Sequence, residues 1–94
     1  MPLNLYFLKS FDRSRQNFPQ LRQEKIQDTV RQIIQLVHRN IQISHGLRVK
    51  KLSSTVFEAR VDIHLRLLFE IKEGSLIFIL VGTHGEVRRY LKNV

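Results

Sequence analysis

The sequence predicts an α+β fold: a small antiparallel four-stranded sheet with two N-terminal helices on one face and a short C-terminal helix, in a single domain over residues 1–94. Three observations predict it. Ile26, Val30, Ile33 and Val37 recur at helical spacing, with Ile34 widening the stripe. Residues 56–61, 65–71 and 76–81 read as three strands in succession. Glu73-Gly74 then supplies a hairpin turn between the last two. Strands segregated from helices along the chain favour an antiparallel sheet with its helices on one side.

Taken in order, Leu3, Leu5 and Phe7 alternate with Asn4, Tyr6 and Leu8, a first strand with one buried face. Ser10 is the expected N-cap of a short helix that places Phe11 and Phe18 on one side. Pro19 disfavours helical geometry at Phe18, so the chain breaks there and a long helix runs over about residues 19–39. Arg31, Gln32 and Gln35 face out from it, and His38 sits at its C-terminal end. Residues 41–54 lose any period and read as a basic connector. In the hairpins that follow, Phe57, Ala59 and Val61 face Phe69, Leu67 and Leu65, and Lys72 lies opposite Ser75. Leu76, Phe78 and Leu80 then join the core face, while Ile77, Ile79 and Val81 share the outer face with Leu68 and Arg66. That apolar outer face must lie beneath a terminal helix over residues 86–92, through Val87 and Leu91, or beneath a partner. The expected core is Leu5, Phe7, Ile26, Val30, Ile33, Val37, Phe57, Leu67, Phe69, Phe78 and Leu80.

Composition narrows the function classes. There is no cysteine, which excludes disulfide frameworks and Cys-based zinc sites and suits a reducing cytoplasm. No apolar run approaches membrane-spanning length, and Met1-Pro2-Leu3-Asn4 lacks the basic start of a secretory signal, so no membrane association is expected. Sixteen Lys and Arg against eight acidic residues leave a formal charge of +8. Such a surface suits a polyanion or an acidic protein, or serves solubility alone. Between Asp28 and Glu58 no acidic residue occurs, whereas Arg31, Arg39, Arg48, Lys50, Lys51, His38 and His45 do.

The hairpin register puts Arg60 directly opposite Arg66. Like charges at a cross-strand pair cost up to ~1 kcal/mol. Either both point into water or toward Glu58, Asp62 or Glu70, or the two guanidinium groups form a clamp for a phosphate. On the pairing alone, removing one arginine should leave stability level or slightly higher. The four histidines, His38, His45, His64 and His84, show no metal-ligand spacing and have no carboxylate cluster beside them. No metal and no cofactor is expected. What remains is metal-free acid–base chemistry, for which His84 with Arg60 and Arg66 is a sufficient minimal set.

From Leu47 onward the chain resembles the RelE/ParE superfamily of bacterial type II toxin–antitoxin systems. The resemblance rests on Leu47-Arg48-Val49-Lys50-Lys51-Leu52, then Phe57-Glu58-Ala59-Arg60-Val61, then Leu65-Arg66-Leu67-Leu68-Phe69, and finally Val81-Gly82-Thr83-His84-Gly85-Glu86-Val87-Arg88-Arg89. It implies a sheet with two helices on one face, and for the RelE-like branch a ribosome-dependent endoribonuclease that cuts mRNA without metal through the 2′-hydroxyl. A cognate acidic antitoxin would then be the protein partner, in a toxin–antitoxin hetero-oligomer, with mRNA and ribosome as targets in the cytoplasm. Arg60, Arg66 and His84 fall at catalytic positions under this resemblance. Arg48, Lys50, Lys51, His64 and Arg88 are candidates for RNA binding. Where that branch reads His-Asp-Glu-Val-Tyr, this chain reads His84-Gly85-Glu86-Val87-Arg88, so either Arg88 stands in for the aromatic or Tyr90 does, completing the catalytic set. Arg88 and Tyr90 point to opposite sides of a helix. The resemblance leaves two alternatives: a ParE-like non-enzymatic gyrase inhibitor, acting through its terminal helix and tail, or a catalytically weakened RNA-binding homologue.

Overall fold

The computed structural model describes residues 3–39 and 48–93. Along the chain run β1 (Asn4–Phe7), α1 (Lys9–Gln16), α2 (Gln20–His38), β2 (Val49–Lys51), β3 (Val56–Arg60), β4 (Leu65–Lys72), β5 (Ser75–Thr83) and α3 (His84–Lys92). His45 and Leu47, named above, lie outside the described residues.

The break at Phe18-Pro19 separates α1 from α2, and Pro19 itself takes the extended N-cap position of the long helix. Ser10 does not cap α1. The N-cap is Leu8, without a side-chain bond, and the Ser10 hydroxyl instead donates across to the Ile79 carbonyl of β5.

Among the described residues the sheet has five strands in the order β1-β5-β4-β3-β2, where four were expected. The added strand, β2, pairs antiparallel with β3 inside the stretch that reads as a connector. Three residues are too few to display an alternation, and pairing alone defines them. A second correction concerns direction: β1 runs parallel to β5, Leu5 beside Leu76 and Phe7 beside Phe78. The helical layer between them is the crossover that parallel strands need. The hairpin registers agree with expectation, Ala59 with Leu67, Arg60 with Arg66 and Lys72 with Ser75. Glu73 (φ 49°) and Gly74 (φ 78°) both adopt the left-handed geometry of a tight hairpin turn.

One residue redirects the end of β5. Leu68 pairs with Leu80 but Phe69 pairs with Phe78, which leaves Ile79 as a bulge. An extra residue reverses the two-residue alternation beyond it. Val81 therefore enters the helix-side core and Leu80 the opposite face, the reverse of the sequence expectation. Next to the bulge, β5 has no strand on its β1 side among the described residues, because β1 ends at Phe7. Helix α1 supplies the missing partners: Ser10 bonds the Ile79 carbonyl, and Ser14 accepts the Val81 N–H at 3.1 Å.

The main core lies between the sheet and α1–α2. It gathers Phe11, Ile26, Val30 and Ile33 against Leu65, Leu67, Phe69, Leu76, Phe78 and Val81, with Val37 and Phe57 half-buried at its border. Phe78 is its hub, with ring centroids 5.0 Å from Phe7, 5.8 Å from Phe11 and 6.3 Å from Phe69. Leu5 and Phe7, expected inside, are exposed, because an edge strand is covered on one flank only. On the opposite face α3 seats Val87 on Leu68 and Ile79. Tyr90 packs there too, in the place expected of Leu91, which is exposed.

Candidate nucleic-acid interface

The cleft is built on the face of the sheet that carries Arg60 and Arg66. Pairing of Lys50 with Glu58, and of Arg60 with Arg66, sets these four side chains on one face of β2, β3 and β4 by strand alternation. Helix α3 completes the wall. Thr83 and Glu86 form a reciprocal cap, the Thr83 hydroxyl accepting the Glu86 N–H at 3.2 Å and the Glu86 carboxylate accepting the Thr83 N–H at 2.8 Å. That cap starts the helix at His84, two residues before the sequence expectation, and the pattern Thr83-His84-Gly85-Glu86 was legible as a capping box. Gly82 leaves room for it, since a Cβ there would lie 3.0 Å from the Glu86 Oε1 and crowd the capping carboxylate.

The result is an open hollow of about 320 Å³ lined by Arg48, Val49, Lys50, Glu58, Arg60, Arg66 and His84. A second hollow of about 310 Å³ shares Lys50, Glu58 and His84 and continues to Leu52, Arg88, Leu91 and Lys92. Cations thus line a continuous track, and its second half adds two leucines. Five of the residues singled out in the sequence meet in the first hollow, and Arg88 stands at the second. Three do not join them. Lys51 pairs with Phe57 and so faces the opposite side of the sheet from Lys50. His64 sits exposed in the β3–β4 turn. Tyr90 lines a separate groove, with Ser14 and Arg89, on the far flank of α3.

The two arginines differ in kind. Arg60 is exposed, and among the described residues its guanidinium has no bonded partner. Arg66 is held: its Nη1 donates to the carbonyls of Asp62 at 2.9 Å and Leu65 at 3.1 Å. Its Nε lies 3.8 Å from Glu58 Oε1, with only 15% and 12% of the two side chains exposed. Glu58, two residues from Arg60 on the same strand face, therefore relieves the like-charge pair. These contacts argue against the expectation that losing Arg66 leaves stability level or higher, because its removal strands a half-buried carboxylate and loosens a turn. Glu58 is also the one carboxylate in both hollows, a candidate the sequence showed only as an ion-pair partner.

The turn is braced from its other side by Asp62. Its Oδ1 accepts the N–H groups of His64 at 2.8 Å and Leu65 at 2.9 Å, and Oδ2 lies 3.9 Å from Arg22 of α2. Burial alone would raise this carboxyl, but the two N–H donors, with Arg22 and Lys25, outweigh it and hold the pKa below 3.8. A depressed folded-state pKa contributes stability above the unfolded value, which is lost as pH falls through the folded one. Asp62→Asn should accordingly lower stability by about 1 kcal/mol at neutral pH. The gap to the parent should narrow below about pH 4, as thermal melts across pH would show.

Among the described residues no three His, Asp or Glu side chains gather into a metal-binding group, and no helix is long and apolar enough to cross a membrane.

No protein-family model and no curated protein matches the sequence. Solved structures do match the fold. The chain superposes on a chain of the RelE–RelB complex of Pyrococcus horikoshii OT3 with a TM-score of 0.69 at 14% identity, covering 90% of this chain and 98% of that one. A mutant of YafQ from E. coli gives 0.70 at 11%, covering 90% and 97%. The YoeB dimer of Staphylococcus aureus gives 0.68 at 17%, covering 89% and 99%. These proteins share the architecture of this chain, and at such identities the likeness is one of fold.

Proposed function

We propose that this chain, built on the RelE-like toxin fold, is itself the toxin of a type II toxin–antitoxin pair and an endoribonuclease that cuts mRNA on the ribosome through the 2′-hydroxyl. The observation that carries the reading is the meeting of Arg48, Lys50, Arg60, Arg66 and His84 around Glu58 in one open hollow. The scissile phosphate lies against Arg60 and Arg66, whose charge matters most when phosphorus becomes pentavalent. One acid–base group takes the proton of the 2′-hydroxyl as its oxygen attacks phosphorus, and another protonates the departing 5′-oxygen, leaving a 2′,3′-cyclic phosphate and a 5′-hydroxyl. Glu58 and His84 are the two groups at hand. The neighbouring strand of RNA follows the track toward Arg88 and Lys92, where a guanidinium offers its plane to a base in place of an aromatic ring.

The solved RelE–RelB complex supports an antitoxin as the protein partner. An acidic antitoxin segment suits the basic cleft by charge. The gyrase-inhibitor reading has less support, since it makes no use of the cations gathered on the sheet face.

The test is primer extension on mRNA after inducing the chain in growing cells. The parent is expected to arrest growth and leave new mRNA ends, which a 2′-deoxy substitution at the cut site abolishes in vitro. His84→Gln should slow cleavage by about 100-fold or more while RNA binding stays within a few-fold, as befits a proton-transfer group. Normal cleavage by His84→Gln, or none by the parent, overturns the assignment.

A further inference from the structure

Strand β1 is an edge of the sheet, and none of the described residues covers its outer side. Leu5, Tyr6, Phe7 and Leu8 are 42%, 51%, 45% and 39% exposed, on both faces of the sheet. The N–H groups of Asn4 and Leu8 point inward, to the carbonyls of Gly74 and Phe78. Backbone direction alternates along a strand, so the N–H and C=O of Leu5 and Phe7 point outward, away from β5. Edge strands are ordinarily blunted by charge, proline or a covering segment. The opposite edge, β2, carries Lys50 and Lys51. Residues 1–8 contain no Lys, Arg, His, Asp or Glu at all.

The geometry points to β1 as a self-association surface, on which a second copy of this chain adds its own β1 antiparallel across a twofold axis at Tyr6. The occupant follows from charge and from self-complementarity. Two chains that each carry +8 repel wherever their cationic surfaces meet. The uncharged strand lies at the far end of the sheet from β2 and β3, where the cleft is built. An acidic partner gains nothing from a strand with no cation, whereas an identical neutral strand matches it. The outward groups also fit. Leu5 of one copy faces Phe7 of the other and the reverse, giving two reciprocal hydrogen-bonded pairs, while Tyr6 faces its own counterpart in a non-bonded pair about 4.5 Å apart at Cα. The joined sheet leaves both clefts open at its outer ends.

Sedimentation of the full-length chain over roughly 1 µM to 1 mM, the range in which small interfaces form, is expected to show a monomer–dimer equilibrium. Leu5→Pro removes only an outward donor and should weaken the dimer by about tenfold or more. Tyr6→Lys places two ammonium groups on the axis and should abolish it, with an unchanged melting temperature certifying the monomer. Because the chain has no cysteine, the register can be read directly. Tyr6→Cys should cross-link to a covalent dimer under mild oxidation, and Leu8→Cys should not, since only the axial pair lies within disulfide reach. A parent that stays monomeric throughout, a dimer indifferent to Tyr6→Lys, or equal cross-linking at positions 6 and 8 overturns the proposal.

Discussion

Arg60→Ala is expected to slow RNA cleavage by about 100–1,000-fold, the usual cost of removing one electrostatic contact to the transition state, with little change in melting temperature. The side chain is exposed and its backbone role, an N–H donated to the Arg48 carbonyl at 3.0 Å, survives the substitution. Arg66→Ala should lose as much activity but also about 1–3 kcal/mol of stability, because the turn carbonyls and Glu58 lose their donor. Arg66→Lys restores charge without the planar fork and should rescue only partly. Cleavage rates and thermal melts on the same preparations separate the two arginines. An Arg60→Ala protein that cuts at the parental rate removes the phosphate from this cleft.

The largest effect on stability belongs to Phe78. Its ring touches those of Phe7, Phe11 and Phe69, and it is fully buried. Phe78→Ala opens a cavity between α1 and the sheet and should cost about 3–5 kcal/mol. In a chain of this size each kcal/mol lowers Tm by about 4–8 °C, so a fall of more than 10 °C is the expected reading. Phe7→Ala serves as the control: the ring stacks on Phe78 but is half in solvent, so its loss should cost clearly less.

Local chemistry explains which parts of this fold were legible. The Glu73-Gly74 turn and the apolar alternation of β3 and β4 pin the register, so the Arg60–Arg66 pairing and the shared face could be read directly. The stripe from Ile26 to Val37 likewise identified α2. The parallel pairing of β1 with β5 could not be read, because it joins the two ends of the chain. Nor could the bulge at Ile79, which depends on both strands at once and moved Leu80 and Val81 to faces opposite to those expected. At the candidate site, Arg48, Lys50, Arg60, Arg66 and His84 were legible as residue types, but Glu58 gained its place only once the strands were paired. Tyr90 could not be weighed against Arg88 until the cap at Thr83 fixed the rotation of α3.

The parallel pairing of β1 with β5 also governs when this fold can close during synthesis. Strand β1 leaves the ribosome before the other elements described, and its partner among the described residues begins at Ser75. Helices α1 and α2 emerge with the apolar faces they will bury and wait for β4 and β5 to receive them. His84 follows the last strand directly. A nascent chain therefore has no closed sheet and no complete cleft until the segment through His84 has been made. Its slowest step is expected to be the long-range closure that joins the first strand to the fifth.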